Sequence, residues 1–319
     1  MITLSRPRGL HLFFTLRGSI LPRVARPLAS CVAVAALVTF THGVLFHWKV
    51  TLTAVPFSII IGLALAICLG FRNNVAYDRW WEGRKLWGEL VTRSRTLARQ
   101  LQSLTAFDEP ARHDDLADPR AAMIRRTIAH AHAHAQAHAL RHELRDSDAA
   151  ADVAPWLSEA HRAGFAAARL GSEWLLRRNG LELGALVRAG RIDPRLAAEM
   201  DVSLSDLTAV AAGCERIRRT PLPFAYTLLL HRTATLYCYL LPFGRVDTIG
   251  PMTPFVVAIV AYTFFGLDAV GDEIEEPFGL AVHPLPLTAL CRKVEINLRE
   301  ALGDPALPEP LGAVDHQLD

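Results

Sequence analysis

Residues Leu52 to Gly70 form an apolar stretch without a charge, and Phe71-Arg-Asn-Asn-Val-Ala-Tyr-Asp-Arg-Trp-Trp-Glu-Gly-Arg-Lys-Leu-Trp87 follows it directly. That junction constrains the fold more than any other part of the chain. A helix needs about 20 apolar residues to cross a hydrocarbon core about 30 Å thick. The junction therefore sets a bilayer edge near Phe71, with a cationic, tryptophan-rich face beyond it. It also carries Leu63, Ile67 and Phe71, spaced four apart, along one helical face into the membrane. Successive members of such a row rotate by about 40° and rise by about 6 Å. The row is therefore a stacked stripe, serving either as ordinary packing or as the wall of a constriction.

The remaining apolar residues are clustered in the same way. Of 319 residues 51% are hydrophobic and 21% charged, and the mean hydropathy is +0.21. Soluble domains are usually less apolar and more charged. Leu28 to Phe46, Leu52 to Phe71, Leu222 to Phe243 and Ile249 to Leu267 each reach spanning length. The short links His47 to Thr51 and Gly244 to Thr248 carry one cation each, whereas the flanking segments are rich in Arg and Lys. The positive-inside rule then places both termini and the long middle segment in the cytoplasm. The expected organisation is a basic interfacial N-terminus (1–27), two spans (28–71), a cytoplasmic helical region (72–221), two spans (222–268) and a cytoplasmic C-terminal segment (269–319).

The middle region is punctuated by Pro110, Pro119, Pro155, Pro194 and Pro221. Helices are expected over Trp80 to Leu104, Asp118 to Arg145 (capped by Asp118, with Pro119 next), Ser158 to Arg177 and Leu196 to Arg218. No alternating strand pattern competes. The fold class is all-α, with a membrane layer and a cytoplasmic layer sharing continuous helices. His231-Arg232 inside the third span is costly in lipid and predicts contact with partners or water. The five cysteines are scattered without a CxxC pair and read as small buried hydrophobes. A net charge of +2 offers no field for nucleic acid.

The segment Phe71 to Gly88 strongly resembles the bestrophin family in its bacterial branch. Gly213 to Ile217, Thr220 to Tyr226, Glu275 to Gly279, Leu287 to Arg292 and Glu295 to Glu300 match in order, so the resemblance runs from about residue 25 to about residue 300. It implies an ion channel built as a homopentamer around one central pore, in contact with membrane lipid and passing small monovalent ions. The implied neck residues, counted from Arg79-Trp80-Trp81, are Leu63, Ile67 and Phe71. Apolar rings of this kind gate by dewetting, and Gly62, Ala64, Ala66 and Gly70 between them suit close helix approach. Trp80, Trp81 and Trp87 also suit a membrane-interface belt, and Asp78 and Glu82 lie within reach of Arg79 or Arg84. An ungapped count from Pro223 places the family's second, cytoplasmic constriction at Arg195, or at Leu196 with a shift of one. Bacterial members are associated with cations and animal ones with chloride, so selectivity stays open.

Two departures matter. Animal members hold calcium with acids after Pro-Phe-Gly, but Pro277-Phe278-Gly279 is followed by Leu280, Ala281, Val282, His283 and Pro284. Calcium takes six to eight oxygens, so no clasp is expected. Asp272, Glu273, Glu275 and Glu276 precede the motif and should instead form ion pairs between layers. The second departure is a histidine run: His130, His132, His134, His138 and His142. It reads as a mildly polar exposed or subunit-facing stripe, as metal ligands at i, i+4 spacing, or as a pH-sensing stripe. No cofactor and no metal is assigned, and His130, His134 and His138 are the residues that would hold one. The HxxxH steps raise a rival, a membrane di-iron oxygenase or desaturase, but no further box exists. A non-conducting membrane scaffold is the remaining alternative, and no chemical catalysis is expected.

Overall fold

The computed structural model describes residues 18–41, 57–104, 133–301, 304–314 and 317–319. The described residues are helical, with one isolated bridge between Val314 and Gln317 as the sole β pairing among them. In chain order the helices are α1 (Leu21–Thr41), α2 (Phe57–Leu104), α3 (Ala133–Leu144), α4 (Ala150–Val153), α5 (Glu159–Ala166), α6 (Gly171–Arg188), α7 (Pro194–Arg219), α8 (Phe224–Ile249), α9 (Thr253–Glu275) and α10 (Leu287–Ala301). Two compact units result. One is built from the described residues up to Trp80 with Pro221–Pro277, the other from the described residues of 81–220 and 278–319.

The first unit contains α1, the beginning of α2, α8 and α9. Leu21–Thr41, Ile59–Leu104 and Phe224–Glu275 are long and apolar enough to cross a membrane. The third stretch doubles back. Gly250 adopts φ +51°, a left-handed conformation that costs glycine nothing, and a single 3₁₀ turn Gly250–Met252 joins α8 to α9. The turn returns Phe264 to Tyr237, with ring centroids 5.4 Å apart edge to face. The link expected at Gly244 to Thr248 is thus helix, and the reversal comes later. Pro242 lies inside α8 without ending it. Proline in an apolar helix is tolerated where neighbours re-satisfy the freed backbone groups.

Cys31 and Ala35 of α1, Leu65 and Leu69 of α2, Ala234 and Cys238 of α8, and Val257 and Ala261 of α9 form the buried centre of this unit. Small residues (Cys31, Ala35, Ala234, Cys238 and Ala261) stand among larger ones such as Leu230, Tyr237, Leu241, Phe264 and Phe265. Apolar transfer gives helices in lipid little reason to associate, so close van der Waals approach supplies the cohesion. Gly62 is one point of approach: a Cβ there would stand 2.6 Å from Tyr237 Oη. The first helix begins seven residues earlier than the span expected from Leu28, so Arg23 and Arg26 belong to its first turns. The expected end of that span and the start of the next lie outside the described residues.

The second unit contains the rest of α2 with α3–α7 and α10. Asp193 caps α7, its Oδ1 accepting the Arg195 backbone N–H at 2.8 Å, and Pro194 occupies the first helical position. Arg216, Arg218 and Arg219 close the same helix, where cations meet the negative end of the dipole. The N-terminus of α6 is capped from α3: the Glu143 carboxylate accepts from Ser172 N–H at 2.8 Å and from Ser172 Oγ at 2.6 Å. The helix expected over Ser158 to Arg177 is broken between Ala166 and Gly171, where Phe165 folds to 2.6 Å from where a Gly171 Cβ would be. Asp118 and Pro119 lie outside the described residues.

Candidate functional site

The helix α2 is continuous for 48 residues without proline. Its first part has two opposed faces. Leu65, Leu69, Arg72 and Ala76 are buried, at 3%, 0%, 0% and 0% exposure. Leu63, Ile67 and Phe71 point the other way and are 61%, 50% and 63% exposed. At about 100° per residue, Leu65 stands roughly 200° from Leu63, so burial of one row exposes the other. Ile59, Ile60 and Val75 extend the exposed row. Gly70 has open space where a Cβ would be, unlike Gly62, which is filled by Tyr237.

Arg72 was not singled out by its sequence context, yet it organises the buried face. Its guanidinium Nη1 donates to Asp268 Oδ1 at 2.6 Å and to the Asp268 carbonyl at 3.3 Å. Its Nη2 donates to Asp272 Oδ1, and to Glu275 Oε2 at 3.5 Å. These acids recur at four and three residues on α9 and so share one helical face. The network continues outward. His231 Nδ1 lies 2.7 Å from Asp268 Oδ2. Glu275 Oε1 accepts the Leu222 backbone N–H at 3.2 Å, and the Glu275 carbonyl accepts from Arg79 Nε at 3.2 Å. Arg23 Nη1 donates to Glu273 Oε1 at 3.0 Å. Of the acids before Pro277, Asp272, Glu273 and Glu275 therefore do form ion pairs, but within one unit rather than between layers. Space for the guanidinium comes from Gly271, where a Cβ would lie 3.4 Å from Arg72 Nη1 and 2.5 Å from Asn73 Oδ1.

His231 and Arg232 divide their roles: His231 joins Asp268, and Arg232 is exposed on the chain. The tryptophans also divide. Trp80 stacks on Tyr77 at 6.3 Å and Trp81 is 47% exposed, whereas Trp87 is fully buried inside the second unit and does not belong to a belt. Glu82 bonds Arg216 at 2.5 Å rather than Arg79 or Arg84. Arg195 and Leu196 are both exposed in the first turn of α7, so Arg195 is a helical residue and not a loop one. Pro277 and Phe278 are buried, Gly279 is half-buried, and the Phe278 carbonyl accepts from Arg145 Nε at 3.2 Å. All five cysteines are free, and all but half-buried Cys68 are buried. Burial pushes the Cys214 and Cys291 thiols up to about 12.

The three histidines marked as possible metal ligands do not come together as a set. His130 lies outside the described residues, and of His134 only the backbone is described, on α3. His138 instead meets His142 and Asp152.

A family model described as bacterial/fungal bestrophin protein matches residues 1–300. The voltage-dependent anion channel-forming protein mll4386 of Mesorhizobium japonicum is 42% identical over 314 residues, covering 98% of this chain and 96% of that one. The voltage-dependent anion channel-forming protein YneE of Escherichia coli is 36% identical, covering 97% and 96%. A crystal structure of a bacterial bestrophin homolog from Klebsiella pneumoniae, solved by Zn-SAD phasing, superposes with a TM-score of 0.80 at 37% identity. That superposition covers 89% of this chain and 100% of that one. With a matching family model across nearly the whole length, relatives of this identity and the same all-helical fold, the chain belongs to the bestrophin family, in its bacterial and fungal branch.

Proposed function

We propose that this chain forms a pentameric ion channel of the inner membrane, with α2 lining the pore and Leu63, Ile67 and Phe71 forming an apolar neck. The observation that carries the reading is the exposure of those three side chains on the face of α2 opposite Leu65, Leu69 and Arg72. Such a stripe is free to face either acyl chains or a fivefold axis, and the channel-forming names of the relatives favour the axis. A narrow tube of such stripes expels water, and an ion then has no cheap way to shed its hydration shell. The relatives' channel-forming names support conduction over the oxygenase alternative.

The finer reading is as follows. Four passes are made, by α1, the start of α2, α8 and α9, with both termini cytoplasmic, as the arginine-rich flanks argue. Small monovalent ions pass. The relatives' names point to anions, and five copies of Arg195 at a cytoplasmic exit would disfavour cations. Gating is calcium-independent, because Asp268, Asp272, Glu273 and Glu275 are committed to Arg72 and Arg23 and no acid follows Gly279 before Pro284. Purified protein in liposomes tests this. Replacing Leu63, Ile67 and Phe71 together by alanine should raise ion flux strongly, with wild-type flux unchanged by a calcium chelator. Absence of flux in both proteins would instead favour a non-conducting scaffold, and equal flux would reject the neck. Reversal potentials of Arg195→Ala against wild type in a salt gradient test the exit.

A further inference from the structure

Neither conduction nor the Arg72 network uses the cluster on α3 and α4. His138 and His142 stand one helical turn apart on α3, and α4 brings Asp152 to both. His138 Nδ1 lies 3.3 Å and His142 Nε2 2.9 Å from the same oxygen, Asp152 Oδ2. The three ligand atoms all lie within 4.8 Å of one another. A tetrahedral zinc ion with ligands about 2.0–2.1 Å away separates neighbouring ligand atoms by about 3.3 Å. Two of the three edges, 3.3 and 2.9 Å, are already near that value. The imidazoles are largely shielded, with side chains 13% and 14% exposed, while Asp152 at 42% leaves a route from solvent.

The surroundings also favour a cation. Arg141 Nη2 lies 2.6 Å from His142 Nε2 and bonds Asp152 Oδ2 as well. A guanidinium can only donate, so both atoms serve as acceptors toward it. The other ring nitrogen, Nδ1, lies 2.7 Å from Ser147 Oγ, which holds the ring with Nε2 turned to the cluster. An imidazole nitrogen and a carboxylate oxygen thus stand 2.9 Å apart around one nitrogen of a buried cation. Positive charge holds them together there, and Arg141 supplies it.

We propose that His138, His142 and Asp152 are a binding site for a divalent transition ion of the zinc class, with Arg141 as its built-in competitor. Two imidazoles and one carboxylate suit zinc and leave one position for water. They do not suit calcium or magnesium, which take oxygen ligands. Metal binding moves Arg141 off Nε2, and the guanidinium holds the ligands together otherwise. The site lies wholly in the second unit and does not depend on the channel reading.

The test uses the full-length protein in detergent, zinc chloride titrated by calorimetry, and cobalt chloride followed by visible absorption. Wild type should bind zinc at one site per chain and give a tetrahedral cobalt spectrum. His142→Ala and Asp152→Asn should each lose that spectrum and weaken zinc by more than tenfold, and Ser147→Ala should weaken it by about 10–100-fold. Arg141→Gln should bind more tightly than wild type, and zinc should raise its melting temperature more, which also reports that this variant is folded. Calcium should do neither. The proposal is overturned if wild type binds no zinc, if only Arg141→Gln binds it, or if His142→Ala and Asp152→Asn bind as wild type does. It is also overturned if Arg141→Gln binds no more tightly than wild type.

Discussion

Replacing Arg72 by methionine removes the charge at the centre of the α2–α9 contact while keeping most of its apolar length. The Arg72 side chain is fully buried, and its partners Asp268, Glu275 and Asp272 are 8%, 14% and 40% exposed. The Asp272 pair is open enough to water to contribute only about 0–1 kcal/mol. The Asp268 pair is not, and removing one partner of a buried pair costs about 3–5 kcal/mol because the other charge is left stranded. Asp268→Asn should cost less, about 1.5–3 kcal/mol, the range for a hydrogen bond to a charged group, since Arg72 keeps two other acids. Once Arg72 is gone, the stranded carboxylate is the main liability, so Asp268→Asn then costs little or restores stability. The assay is a double-mutant cycle of SDS-induced unfolding in bicelles, followed by circular dichroism. A coupling of about 1–3 kcal/mol is expected. Strictly additive losses, or a loss below about 1 kcal/mol for Arg72→Met, would refute the claim that this network anchors α2.

Other substitutions probe the same packing. Gly271→Ala places a methyl 2.5 Å from Asn73 Oδ1 and crowds Arg72, and should cost about 1–3 kcal/mol in the same unfolding assay. Gly62→Ala meets Tyr237 Oη at 2.6 Å and should destabilise, with Tyr237→Phe restoring part of the loss. Gly70→Ala meets nothing within the chain and should leave its unfolding unchanged; native mass spectrometry then shows whether it weakens the assembly. Burial alone would raise the Asp319 carboxyl, but the hydrogen bond and charge of Arg145 outweigh it and hold the group below its ordinary value. A lowered folded value stabilises above the unfolded value of about 3.9 and is lost as pH falls through the folded one. Proteolytic protection of the last residues should therefore fade on acidification below that point, and Arg145→Ala should remove it already at neutral pH.

Much of the architecture is legible because it follows from local pattern. The uncharged run before Phe71 and the amphipathic run after Trp80 read as one helix, and α2 is one helix. Asp193-Pro194 and Thr220-Pro221 delimit α7 as start and stop signals should. The opposed faces of α2 follow from spacing alone once Leu63, Ile67 and Phe71 are placed on a stripe. What escaped depends on partners distant in sequence. Arg72 meets acids about 200 residues away, and a lone arginine beside an interface tryptophan cluster looks like any other interface cation. Pro242-Phe243-Gly244 has the composition of a turn, yet apolar neighbours carry the helix past it to Ile249. Helical spacing brings out His130, His134 and His138, whereas Asp152, on a four-residue helix beyond the turn, stands in no such spacing to them.

The unbroken course of α2 has a consequence for how this chain tolerates change in length. Leu63 and Arg72 lie on the same rod within one unit, and their azimuths are fixed relative to each other by the number of residues between them. One residue inserted or deleted between them would turn everything on one side by about 100°. Either the stripe would swing inward or the buried arginine would swing out. Gains or losses of a full heptad would slip the phase by only about 20°. In this stretch, then, length changes should be tolerated in whole turns, while the surface turns elsewhere carry no such arithmetic.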